Sequence, residues 1–91
     1  MKDILYAHEI EESVKKNNIT HWFPFRCSIC NEQYGFYFEN GIVTFDGACS
    51  CNAIFGPRQT TFQEIAEIYN KNINENFRKE ILEYFKIGDI L

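Results

Sequence analysis

Long hydrophobic runs are missing from this chain, and so is any excess of positive charge. No stretch approaches the roughly 18 apolar residues of a membrane-crossing helix. The N-terminal MKDILYAHEIEESVKK carries acidic residues where a secretory leader needs an unbroken apolar segment. A cytoplasmic protein with reduced thiols is therefore expected. Lys and Arg number 9 against 13 Asp and Glu, and from Asn17 to Thr60 the only basic side chains are Arg26 and Arg58. Binding to a phosphate backbone draws on several cations on one surface, so a general nucleic-acid footprint is not expected. Histidine is scarce as well. His8 and His21 lie outside any nucleophile, general-base or His-x-Glu metal motif, and no Gly-rich phosphate loop is present. Glu9, Glu11, Glu12, Glu64, Glu67, Glu80 and Glu83 read as solvated helix faces. These absences together predict that the chain is not an enzyme.

What is present is a cysteine quartet in a chain of 91 residues, a length that suits a single domain spanning residues 1–91. A domain this small buries a modest share of its surface, so a cross-link or a metal contributes a large part of its stability. The pattern is Cys27-x2-Cys30, eighteen intervening residues, then Cys49-x-Cys51, close to the paired knuckles of a zinc ribbon. Four thiolates fill the tetrahedron of a zinc ion and leave no position for an activated water, which predicts a structural site. The alternatives are an iron centre in a small electron carrier, replacement of one sulfur by His21 or His8, and a pair of disulfides. The single intervening residue of the second pair requires a tighter turn than the usual knuckle, and Gly47 and Ala48 make room for one.

The elements around the cysteines can be read from periodicity. Asp3 to about Asn17 places Ile4, Ala7, Ile10 and Val14 at helical spacing, with Lys15 and Lys16 suiting the last turn and Asn17-Asn18 ending it. The aromatic segment ITHWFPFR reads as an edge strand or extended arm, because Pro24 is excluded from helices and central strands. YGFYFE and IVTFDG flank Asn40-Gly41, the favoured pair for a two-residue type I′ hairpin. That turn sets Glu39 opposite Ile42, Phe38 opposite Val43, Tyr37 opposite Thr44 and Phe36 opposite Phe45. Tyr34, Phe36, Phe38, Val43 and Phe45 then share a buried face, while Tyr37, Glu39, Ile42, Thr44 and Asp46 share a wet one. After a loop at Gly56-Pro57, Thr61-Phe62-Gln63-Glu64 has the form of a capping box. The helix it opens buries Phe62, Ile65, Ala66, Tyr69 and Ile73. Beyond the Asn-rich 72–76 patch, Phe77, Ile81, Leu82 and Phe85 form another helical stripe, with Gly88 as its stop. One bent helix or two fits this pattern, and two are favoured. The fold class is thus α+β: a small zinc ribbon, a β-hairpin with two cysteine knuckles, flanked by an N-terminal helix and one or two C-terminal helices.

Four aromatic and aliphatic positions are candidates for partner binding. Trp22 and Phe23 crowd, with Phe25, just ahead of the first knuckle, and Tyr37 and Ile42 lie on the wet face of the hairpin. Packing over the metal site and the last helix is the structural alternative for the first group, and scattered surface apolars for the second.

The block CSICNEQYGFYFENGIVTFDGACSC followed by TTFQEIAEIYNKN resembles a group of small zinc-ribbon proteins carried by tailed phages, over roughly residues 22–86. Cys27, Cys30, Gly35, Phe36, Asp46, Cys49, Cys51 and Phe62 match the pattern of that group, with Phe62 where its members more often have Trp. The resemblance implies the fold and a zinc ion but no activity. It also implies a setting in the cytoplasm of a host cell, where small phage accessory proteins bind and redirect host complexes, including RNA-guided defence nucleases. The expectation is a non-enzymatic zinc-ribbon module that binds a protein or ribonucleoprotein. The alternatives are a ribbon that stacks single-stranded nucleic acid on its aromatics beside Arg26 and Arg58, and the iron electron carrier.

Overall fold

The computed structural model describes residues 2–72 and 74–88. The fold is α+β, and the chain divides into two compact units, Met1–Ile19 with Phe62–Leu91, and Thr20–Thr61.

The helical unit contains α1 (Ala7–Asn17), α2 (Phe62–Lys71) and α3 (Glu75–Phe85). Helix α1 starts four residues later than the apolar spacing predicts. Tyr6 is its extended N-cap, and Glu9 closes the first turn by accepting the Tyr6 N–H at 3.1 Å. The residues before it form an arm held by Asn70 of α2, whose side chain accepts from the Leu5 N–H at 2.8 Å and donates to the Leu5 carbonyl at 2.9 Å. Helical counting therefore fails at Ile4, which is exposed, while Leu5 is buried. Arg78 of α3 fastens the same arm, its guanidinium lying 4.4 Å from the Tyr69 ring centre and donating to the carbonyls of Lys2 and Asp3.

Helix α1 ends as expected, with Asn18 in the left-handed region at φ 49°. Two C-terminal helices are present, because Asn72 and Asn74 break the run. Asn72 Oδ1 accepts the Asn74 N–H at 2.8 Å, and Asn74 in turn caps α3 by accepting from Phe77 at 3.1 Å. Ile65, Ala66 and Tyr69 are buried on α2 and Ile81, Leu82 and Phe85 on α3, with Phe62 and Phe77 half-buried. Ile73, expected in this stripe, lies outside the described residues. The predicted stop at Gly88 moves to Lys86, which takes φ 55° and brings the Ile87 N–H to the Leu82 carbonyl at 2.9 Å. Buried Ser13 of α1 donates its hydroxyl to the Phe85 carbonyl at the end of α3. Ser13→Ala leaves that carbonyl without this partner and is expected to lower stability by about 1–3 kcal/mol in denaturant melts.

The sheet unit contains β1 (Phe23–Arg26), β2 (Gln33–Glu39), β3 (Ile42–Cys49), β4 (Ile54–Phe55) and β5 (Arg58–Thr60), all antiparallel. Strand β1 pairs only with β2, the edge position that Pro24 requires. The β2–β3 register is the one the hairpin turn dictates, Glu39 against Ile42 through Phe36 against Phe45. Both turn residues have positive φ, Asn40 at 53° and Gly41 at 80°, as a type I′ turn demands. The other edge of β3 carries β5 along Val43–Phe45 and β4 along Ala48–Cys49.

The alternation predicted for the hairpin is observed. Tyr34, Phe36, Phe38, Val43 and Phe45 are buried, while on the opposite face Ile42 and Glu39 are exposed and Tyr37, Thr44 and Asp46 are half-buried rather than fully wet. Phe36 is the hub of the buried face, with the rings of Phe23, Phe38, Phe25 and Phe45 at 5.1, 5.7, 6.0 and 6.4 Å. On the outer face the Trp22 indole lies against Gly35. A methyl group at Gly35 would overlap the Phe23 carbonyl oxygen and sit 2.7 Å from the indole. Gly35→Ala is accordingly expected to cost about 1–3 kcal/mol of stability. Displacement of the only tryptophan in the chain should register as a shift in fluorescence.

Candidate metal centre

The first knuckle leaves β1 at Arg26 and returns to β2 at Gln33. Its turn is closed by two backbone bonds of 3.0 Å, Asn31 N–H to the Cys27 carbonyl and Cys27 N–H to the Glu32 carbonyl. Asn31, directly after Cys30, takes the left-handed conformation at φ 60°, which asparagine tolerates better than most side chains. Arg26 clamps the turn by donating to the Asn31 carbonyl at 2.9 Å. Inside it, the Ile29 N–H points at the Cys27 sulfur at 3.4 Å.

The second knuckle solves the problem of a one-residue gap with a 3-10 turn, Ser50–Asn52, immediately after β3 delivers Cys49. Gly47 prepares it at φ 119°, where a Cβ would press on the Gln33 carbonyl and the Tyr34 backbone, each at 2.7 Å. Ala53 reverses the chain in the left-handed region, and β4 returns along Ala48 and Cys49. Asn52 braces this turn with one amide nitrogen, 3.2 Å from both the Cys49 sulfur and the Tyr34 hydroxyl, which ties the cysteine to the aromatic core. Arg58 secures the Asn52 carbonyl at 3.1 Å while its guanidinium lies 5.3 Å from the Phe45 ring centre.

The hairpin between the knuckles brings all four sulfurs, of Cys27, Cys30, Cys49 and Cys51, within 4.8 Å of one another. The Cys30 and Cys49 sulfurs are 3.6 Å apart. A metal–sulfur bond of about 2.3 Å implies a tetrahedral edge of about 3.8 Å, so the donor set fits one ion. The same separation is far beyond the roughly 2.05 Å of a disulfide, and all four cysteines are free. Cys27 and Cys49 are buried, Cys30 is half-buried and Cys51 is exposed. His8 and His21 do not join the cluster.

The electrostatics of the thiols explain why the cluster calls for a cation. A hydrogen bond from the Glu32 backbone, with smaller help from the other cysteines, draws the Cys30 thiol down to about 6. Burial pushes the Cys49 thiol up, with the nearby Cys30 and Cys27 adding to the rise against an opposing bond from Asn52. The Cys51 thiol is pushed up to about 11 by loss of solvent at its sulfur and by Cys27 and Cys30. One thiolate thus forms readily and opposes ionisation of its neighbours, a conflict that a divalent ion at their centre removes. Four sulfurs at this spacing suit zinc or iron and do not distinguish them.

The four positions expected to meet a partner separate in the structure. Trp22 and Ile42 are exposed and Tyr37 is half-buried on the outer face, whereas Phe23 is buried with its ring stacked on Phe36 at 5.1 Å. Neither Ile29, inside the first knuckle, nor Phe55, just beyond the second, stands out in the sequence, yet they are 82% and 77% exposed, the highest values among the described large apolar side chains. Asn52 belongs to the site too, and the only sequence signal for it is its place directly after Cys-x-Cys. No family model, curated protein or solved structure matches the chain. Among the described residues, no helix is long and apolar enough to cross a membrane.

Proposed function

We propose that the chain is a zinc-folded, non-catalytic protein-binding module. The observation that carries this reading is the pairing of a closed four-sulfur cluster with apolar side chains left exposed on the same unit. Four sulfurs saturate a tetrahedral ion, so its contribution is to hold the knuckles and the hairpin in register. Trp22, Tyr37 and Ile42 on the outer face then present a rigid aromatic and aliphatic surface of the kind that anchors interfaces. Arg26 and Arg58 are engaged in bracing the knuckles, which favours a protein partner over single-stranded nucleic acid.

The resemblance to phage zinc ribbons extends the proposal. In that setting the chain acts in the cytoplasm of a host cell as an accessory protein that inhibits or redirects a host complex, such as an RNA-guided defence nuclease. The acidic balance of the chain suits binding to the basic surfaces such complexes expose. The test is photo-crosslinking in host cells from a reactive residue at Ile42, alongside a Trp22→Ala derivative. A discrete partner lost in the derivative is the expected result. Absence of any crosslink that depends on Trp22 counts against the proposal.

A further inference from the structure

The outer sheet face has a chemistry that names the kind of group it would receive. Trp22 is 42% exposed with its indole lodged against Gly35, and the ring of half-buried Tyr37 stands 6.3 Å away at a tilt of 48°. Asp46 lies directly across the register from Gly35, and Glu39 lies across from Ile42. By strand alternation both carboxylates are on the face that carries Tyr37. The Asp46 carboxylate is fixed in place, since its Oδ1 accepts the Gly47 N–H at 2.8 Å. Cations are scarce here. The Thr20–Thr61 unit contains no lysine; Arg26 shares this face through its pairing with Gln33 but directs its guanidinium to the Asn31 carbonyl of the first knuckle, and Arg58 lies over Phe45 of the opposite face.

Electron-rich ring faces beside two carboxylates, one of them held in place, attract a cation and offer little to an anion or a purely aliphatic group. We infer that the Trp22–Tyr37 face receives an arginine or lysine side chain from a basic segment of the partner protein, with Asp46 and Glu39 supplying the countercharge. This inference rests on the protein-binding reading above and specifies the chemistry of its partner.

Trp22 is the only tryptophan, so its fluorescence reports on this site directly. The metal-loaded full chain is titrated with a short arginine-rich peptide and with a matched peptide in which each arginine is citrulline. The expected result is a saturable change with the arginine peptide only, weakening about tenfold as salt is raised from roughly 50 to roughly 300 mM. Asp46→Asn keeps the acceptor for the Gly47 N–H and removes the charge, and should weaken binding about tenfold without altering the thermal melt. An equal response to the citrulline peptide, or none to either, overturns the inference. If the crosslinked partner of the previous section meets Trp22 through a segment without Arg or Lys, the cationic assignment fails while the protein-binding module stands.

Discussion

Cys49→Ser is expected to abolish stable metal binding and with it the fold of the Thr20–Thr61 unit. Cys49 is fully buried, ends β3 and opens the 3-10 turn. It also receives the Asn52 amide and stands 3.6 Å from Cys30. A serine there replaces a soft thiolate with a harder, shorter oxygen that does not ionise near neutral pH. Structural zinc in small domains contributes on the order of 10–16 kcal/mol of binding free energy, coupled directly to folding. That exceeds the entire stability of a typical domain, about 5–15 kcal/mol. The near-UV circular dichroism of the clustered aromatics should collapse, and the protein should retain far less than one ion per chain. Replacement of His21 by Ala, in contrast, should leave metal content intact, because His21 is outside the cluster.

Phe36→Ala should give the largest loss among the aromatic positions, about 3–5 kcal/mol in denaturant melts of metal-loaded protein. The ring is fully buried and meets four other phenylalanines. Its removal leaves a cavity bounded by rigid rings, which relax poorly into empty space. Phe36→Leu fills part of that volume and should cost markedly less. A loss below about 1 kcal/mol for the alanine variant would mean that the buried face of the hairpin is not a packed core.

The features legible in the sequence are those set by local chemistry. Asn40-Gly41 dictates a turn type, the turn dictates a register, and the register separates Phe36 from Tyr37 without any distant information. The cysteine spacing likewise states which sulfurs meet, since the same hairpin joins their backbones. The features that escaped are decided by distant residues or by very short segments. Leu5 replaces Ile4 in the core because Asn70, sixty-five positions away, holds the arm extended. Strands β4 and β5 are two and three residues long, too short to show an alternation. Phe23 and Trp22 are aromatic neighbours with nothing in the sequence to tell them apart. The pairing of Phe23 with Phe36 turns it to the buried face and leaves Trp22 on the other. Lys86 ends α3 ahead of Gly88 by adopting a conformation that lysine does not favour, so composition pointed to the glycine.

Metal removal from the intact chain decides whether an ion holds the fold together. Native mass spectrometry before and after chelation, read beside near-UV circular dichroism and the thermal melt, should show a single ion per chain. Its departure should coincide with loss of the aromatic signal and of the cooperative transition, both restored when zinc is returned. A chain that carries no ion as isolated, or one that keeps its full aromatic signal and thermal stability after the ion is stripped, would contradict the account.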